Sequence, residues 1–372
     1  MKVALNATSL NDRPSGARHR FVGIYGPLFK HLKDVEFIIY EPKDCSVVDW
    51  FPDQPNISNR KTPIPSFGRT GKFLAGINYW PRALSKEKFD IFEAMHLPLT
   101  RPPAGKTILT IHDIRGLNKQ NNFTNRALFA AVLKDALKRA DHIVTVSHTM
   151  RSEILKFHAA ASVSVIYNGI DKAAMANVAK GRIDKFRTRY GLAQEYILAV
   201  GHFEPRKNYP RLIEAMSLLK QRGTDCPLVI IGNDSGEASA LKRLIVGLGL
   251  DQQVTLLTGL SDDDVRCAYL NCKLFVFPSF YEGFGIPILE AMAARKPMVL
   301  SDVAIFREIT QNRSIYFNQY CVESMADAIE IGICSEEAVA NMVEYGDQRL
   351  EDFKFTRQAE KLAQLYKAQS SQ

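Results

Sequence analysis

Apolar residues along this chain cluster in short blocks at regular intervals. KVAL (Lys2–Leu5), VEFIIY (Val35–Tyr40), DIFEA (Asp90–Ala94), TILTI (Thr107–Ile111) and His142–Val146 mark the first half. YILAV (Tyr196–Val200), PLVIIGN, LFVF and PMVLS mark the second. Such short apolar runs, bounded by turn residues, predict buried strands. The segments between them carry apolar residues at helical spacing. Leu128, Ala131, Val132, Ala136 and Leu137 line one face of an expected helix over Ala127–Ala140. Further helices are expected over Phe21–Leu32, Ser147–Lys156 with Ser147 as N-cap, Ala173–Arg189, Tyr209–Gln221, Ser239–Leu248, Met325–Ile333, Ser335–Phe353 and Phe355–Gln369. Asn6–Arg20, with Gly16 at its tip, and the Pro-rich Glu41–Lys61 read as loops. Strand alternating with helix predicts an α/β protein of two doubly wound halves, with ligand in the cleft between them.

Composition narrows the class. The chain has 372 residues, 46% of them hydrophobic, and no run long enough to span a bilayer. MKVALNATSL reads as a strand running into a polar loop rather than a leader. The six cysteines form no CxxC, which argues against a zinc or redox pair and suits a reducing, cytoplasmic setting. Of the net +8, residues up to Lys172 carry more than the whole, with 25 Lys and Arg against 15 Asp and Glu. That half is expected to face something anionic. In Pro63–Lys88, Phe67, Phe73, Leu74, Ile77, Tyr79 and Trp80 interleave with Arg69, Lys72, Arg82, Lys86 and Lys88. Two readings stand: a helix packed on the core with a basic edge, or a segment lying at a membrane surface. Charge alone also admits nucleic acid, but no nucleic-acid motif accompanies it.

The candidate chemistry concentrates in the second half. In KLFVFPSFYEGFGIPILEAMAARKPMVLSD, a strand ends at Pro278, Gly283 and Gly285 flank Phe284, and a helix follows. Glycines at a helix entrance let backbone N–H groups approach an anion. Yet Glu282 and Glu290 occupy the same stretch. A phosphate cradle beside carboxylates points to a ligand with both phosphate and hydroxyl groups, such as a nucleotide sugar. Upstream, Glu204-Pro-Arg-Lys-Asn208 sits between a strand and a helix, with Arg206 and Lys207 against the helix macrodipole, where an anion would relieve them. Asp262–Asp264 follow Ser261 as an N-cap followed by an acidic first turn, which explains them without a metal.

Glu282 and Glu290, separated by seven residues, together with EPRKN, resemble the retaining glycosyltransferases of family 4, which have the two-Rossmann-domain GT-B fold. The resemblance implies domains at 1–172, completed by a terminal helix at about 355–372, and 173–354. It implies that Arg206 and Lys207 hold the donor diphosphate with the backbone of Phe284 and Gly285. Glu282 would then contact the sugar, Glu290 the ribose and His112 a donor hydroxyl, with Asp113 bracing its loop. Gly16 would lie near the phosphates, and Gly259 and Leu260 near the base. The implied reaction is hexosyl transfer with retention, needing neither metal nor cofactor. EPRKN looks most like bacterial mannosyltransferases of polysaccharide and lipopolysaccharide assembly, implying GDP-mannose. Donors such as UDP-glucose, UDP-N-acetylglucosamine or dTDP-rhamnose remain alternatives, as do a sugar-nucleotide epimerase, a phosphorylase or an anion-binding module. The implied acceptor is a glycan or lipid-linked glycan, met in the cytoplasm or at the inner face of the membrane, with Phe67–Lys88 as the possible membrane contact. Nucleic acid is not an expected partner.

Overall fold

A computed structural model of the chain describes residues 1–13, 15–117 and 122–371; Pro14, within the expected first loop, lies outside them. The described chain forms two compact units, residues 1–169 with 354–372, and residues 170–353.

The first unit holds seven strands: β1 (Lys2–Asn6), β2 (Glu36–Glu41), β3 (Ile57–Lys61), β4 (Ile91–Ala94), β5 (Lys106–Ile111), β6 (His142–Thr145) and β7 (Val163–Val165). They lie parallel in the order β3-β2-β1-β4-β5-β6-β7. The order reverses between β1 and β4, and such a reversal opens a crevice at the strands' carboxyl ends. Continuous apolar runs are what parallel strands need when both sheet faces are covered. Val3, Leu5, Phe37, Ile39, Ile91 and Ile108 supply that core. The C-terminal helix, Phe355–Ser370, joins the same core through Ala359, Leu362, Ala363 and Tyr366. Its Phe355 ring occupies the space over Gly23 and Gly169, where a Cβ would come within 2.2 and 2.3 Å of it.

The second unit has six parallel strands: β8 (Ile197–Val200), β9 (Leu228–Ile231), β10 (Val254–Leu257), β11 (Leu274–Phe277), β12 (Met298–Ser301) and β13 (Ile315–Phe317). Their order is β10-β9-β8-β11-β12-β13, with the reversal between β8 and β11. The turns after those two strands are the ones carrying EPRKN and the Glu282–Gly285 segment. At the ends of β8 and β9 the backbones nearly touch, since a Cβ on Gly232 would lie 1.9 Å from the Gly201 carbonyl oxygen.

Several expectations are corrected. Glu41–Lys61 is not all loop, because ISNRK forms β3. As an edge strand paired on one side it needs no apolar run, so periodicity conceals it. The first helix begins at Gly16, capped by Ser15, so Gly16 is the first helical residue rather than a loop tip. Ala173–Arg189 is broken into Lys172–Ala176 and Lys180–Tyr190. The helix expected from Ala127 starts at Phe123, and its buried side is Leu133, Ala136 and Leu137, with Leu128 exposed. The inward arc runs through Phe129, whose ring fills the space over Gly116, and that turns Leu128 outward.

Candidate active site

The loop after β8 carries Arg206 and Lys207 on a single turn of 3-10 helix, Pro205–Lys207, just before the helix Tyr209–Gln221. The loop after β11 carries Glu282. The two loops are stitched together: the Phe280 N–H donates to the Arg206 carbonyl at 2.8 Å, and Arg206 Nη1 to the Tyr281 carbonyl at 3.3 Å. Glu282 Oε1 then lies 2.5 Å from Arg206 Nη1 and 2.8 Å from Lys207 Nζ, and it also accepts from Ser279 Oγ at 2.9 Å. Arg206 Nη2 pairs in addition with Glu204 at 2.6 Å. The structure therefore brings together Arg206, Lys207 and the glycine-flanked turn. It also shows that the two cations are already balanced by two carboxylates.

Electrostatics follow from this packing. Burial alone would raise the Glu282 carboxyl, but Lys207 and Arg206 overcome it and hold the group down at about 2. Burial pulls the Lys207 ammonium below its usual range, against the attraction of Glu282. Lys207 is only 5% exposed, and its Nζ lies 4.6 Å from the centre of the Phe277 ring. It reaches this position by passing over Gly201, whose φ is +150° and whose absent Cβ would lie 2.7 Å from Lys207 Cε. The Tyr209 hydroxyl closes the same wall by donating to the Gly201 carbonyl at 2.9 Å. Gly201, Tyr209 and Glu204 thus belong to the cluster although the sequence reading gave them no role of their own. Their role depends on the loop folding back so that the Lys207 side chain passes over Gly201, which no local pattern announces.

Gly285, at φ +117°, is the N-cap of the helix Ile286–Ala293, and Phe284 is buried with its ring 5.9 Å from Phe353. Glu290 lies in this helix. Burial raises its carboxyl, Tyr269 beside it pulls the other way, and Asp262 adds to the rise. The loop Gly259–Asp262 therefore reaches the neighbourhood of Glu290. Gly259 has φ +69°, open space where a Cβ would stand, and its N–H donates to Asn233 Oδ1 at 3.3 Å; Leu260 is half-buried. Ser261 caps the next helix by accepting from the Asp264 N–H, so the acidic run is its first turn.

His112 and Gly16 belong to the first unit. His112 helps line a cavity of about 50 Å³ with Ser9, Arg20, Tyr25, Met95 and Thr110, at the strand-order reversal of that sheet. Burial and the Arg20 charge push its imidazole down to about 3, so it is neutral near pH 7 and offers one donor and one acceptor. Asp113 braces the loop by accepting from the Arg115 N–H. Arg20 is fixed by donating to the carbonyls of Ile166 and Tyr167 and to Asn168 Oδ1. Nearby, the buried Glu93 accepts from Thr110 and from Tyr366 of the terminal helix.

Two parallel-sheet Rossmann-like units in one chain define the class, a GT-B glycosyltransferase fold. Residues 182–349 match the family described as "Glycosyl transferases group 1", and residues 35–174 the family described as "Glycosyltransferase Family 4". Each unit thus matches a glycosyltransferase family model, and the chain is a glycosyltransferase of the GT-B fold. The O-antigen chain mannosyltransferase RfbU of Salmonella typhimurium is 31% identical over 233 residues, covering 62% of each chain. The serotype-specific mannosyltransferase WbdA of Escherichia coli is 31% identical over 243 residues, 62% of this chain and 29% of that one. The alignments thus span less than two thirds of either relative. Among solved structures, Anabaena HepE in complex with UDP and glucose superposes with a TM-score of 0.75 over 99% of this chain and all of that one, at 18% identity. WaaG, a glycosyltransferase involved in lipopolysaccharide biosynthesis, gives 0.76 over 98% of this chain and 99% of that one, at 15% identity. These two likenesses speak to the fold.

Proposed function

We propose that the protein is a retaining hexosyltransferase that moves mannose from GDP-mannose to a glycan or lipid-linked acceptor in cell-surface polysaccharide or lipopolysaccharide assembly. The observation that carries this reading is the meeting of Arg206 and Lys207 with the Glu282–Gly285 turn at the strand-order reversal of the second sheet. The names of the two mannosyltransferase relatives support the choice of mannose.

In this reading the bond from the sugar's anomeric carbon to the diphosphate breaks, and negative charge gathers on the leaving phosphate. Arg206 and Lys207, with the N–H groups of Phe284 and Gly285, stabilise that charge, so no metal is required. Glu282 orients the hexose, Glu290 holds the ribose hydroxyls, Gly259 and Leu260 meet the base, and neutral His112 hydrogen-bonds a sugar hydroxyl. Gly16 lies by the phosphates. The acceptor hydroxyl enters on the face the diphosphate leaves, and its proton passes to a phosphate oxygen.

Thermal unfolding with GDP, UDP, dTDP and their sugars, with and without EDTA, tests this. A ligand that binds only the folded state raises the melting temperature. GDP is expected to raise it most, by the same amount in EDTA. A larger effect of UDP or dTDP moves the donor to that nucleotide. No effect of any of them defeats the transferase reading.

Peripheral membrane contact at the cytoplasmic face is part of the same proposal. Among the described residues no helix is long and apolar enough to cross a membrane. The helix Arg69–Ser85 packs Trp80 and Leu84 inward and leaves Phe73, Leu74 and Ile77 exposed beside Phe67, whose ring faces Arg13 at 5.0 Å. Trp80 and Leu84 fit the core-packing reading, and the exposed row of Phe67, Phe73, Leu74 and Ile77 is the surface a membrane contact would use. Co-sedimentation with phosphatidylglycerol vesicles is expected for the wild type and lost in Phe73→Ser/Ile77→Ser; equal sedimentation of the two would remove the contact.

A further inference from the structure

Beside the charged cluster stands an aromatic group that the donor site does not use. Tyr320, in the loop after β13, is 66% exposed. One face of its ring stacks on Phe280, with centroids 5.3 Å apart and planes at 26°. Arg211, in the first turn of Tyr209–Gln221, sets its guanidinium 5.5 Å from the Phe280 ring. Among the described residues Arg211 makes no ion pair, and its Nη1 donates to Asn208 Oδ1 at 3.4 Å.

The group is held in place from several sides. Asn208, buried and at φ +57°, donates from Nδ2 to the Gln319 carbonyl at 2.9 Å, fixing the residue before Tyr320. The Tyr320 N–H donates to Asn318 Oδ1 at 3.0 Å. Phe280 is anchored through its N–H to the Arg206 carbonyl and lies two residues from Glu282. A large ring already stacked and tied has little freedom left to lose, so it is suited to receive a ligand on its open face.

The position decides which part of a ligand that is. Glu290 lies on the helix Ile286–Ala293, which packs with Asp262–Asn271. Arg211 lies on Tyr209–Gln221, Tyr320 just precedes Val322–Cys334, and these two helices pack against each other. Gly259 follows β10 at one edge of the sheet, Glu282 follows the central β11 and Tyr320 follows β13 at the opposite edge, so a nucleotide sugar running from Gly259 to Glu282 heads toward the aromatic pair. A pyranose ring has an apolar, positively polarised C–H face that suits the negative face of an aromatic ring, and hydroxyls at its rim that suit a guanidinium. We infer that Phe280, Tyr320 and Arg211 form a stacking subsite for a pyranose of the acceptor glycan. This rests on the transferase reading of the neighbouring cluster.

Binding of mannotriose, maltotriose and chitotriose, followed by saturation-transfer NMR, tests it on the wild type, Tyr320→Ala and Tyr320→Trp. At least one trisaccharide is expected to bind the wild type. Tyr320→Ala should weaken it about tenfold, the scale of one lost ring stack, and Tyr320→Trp should retain it. A cooperative melting transition in each variant shows that it is folded. No trisaccharide binding to the wild type, or equal binding by Tyr320→Ala, overturns the subsite. So does a fluorescence change, present in Tyr320→Trp and absent from the wild type, that follows free nucleosides rather than trisaccharides. Failure of the wild type to be stabilised by any nucleoside diphosphate would instead defeat the transferase reading, which separates the two.

Discussion

Lys207→Ala is expected to lower hexosyl transfer by about two orders of magnitude or more, the scale on which removal of a preorganised charge-stabilising group acts. The reason lies in where the ammonium is kept. Buried over Gly201 and facing Phe277, it has lost its water, and a charge–charge interaction in such surroundings is far stronger than at an exposed site. Its orientation is set before any ligand arrives, so little reorganisation remains for the step in which the diphosphate gains charge. Arg206 shares the task but does not take over the lysine's position, because its Nη2 is held on the Glu204 side while the ammonium stands over Gly201. Initial rates at saturating donor would show a fall in kcat. An unchanged kcat would remove Lys207 from the chemistry, even if donor affinity declined.

How much of this could be read from residues alone depends on how local each requirement is. LFVF and TILTI announce buried strands because a parallel strand covered on both faces must be apolar throughout. EPRKN and the glycine-flanked Glu282 stand out because their residue types are wrong for an ordinary helix entrance. β3 stays hidden because an edge strand can be polar, and Leu128 misleads because the inward arc runs one residue further on, through Phe129. Gly201 is legible only after Lys207 is seen passing over it. The Glu93–Tyr366 contact joins residues 273 positions apart, and nothing in either neighbourhood signals the other. What escapes the sequence is therefore mostly pairing between loops and helices that meet only in the fold.

Glu282→Gln is expected to do two opposite things. Glu282 accepts from both cations, and Glu204 supplies the second negative charge. Removing one partner from a buried ion cluster leaves a charge uncompensated, so the variant should be less stable by about 3–5 kcal/mol near neutral pH. The loss should shrink in acid. The Glu282 carboxyl is held at about 2 in the fold against 4.5 ordinarily. Between those values the unfolded chain binds the proton that the folded one refuses, so wild-type stability falls as pH drops through that window and the glutamine variant lacks this contribution. At the same time the cluster changes from neutral to a net positive charge. A pyrophosphate group can then take the vacated partners directly, without displacing a carboxylate. Nucleoside diphosphates should therefore raise the variant's melting temperature by more than they raise the wild type's, while hexosyl transfer falls because the sugar loses its orienting carboxylate. Calorimetric melting with and without GDP, at pH 7 and pH 3, reads both effects. A variant as stable as the wild type at pH 7, or one that GDP stabilises less, would mean that Glu282 is not the partner that balances the two cations.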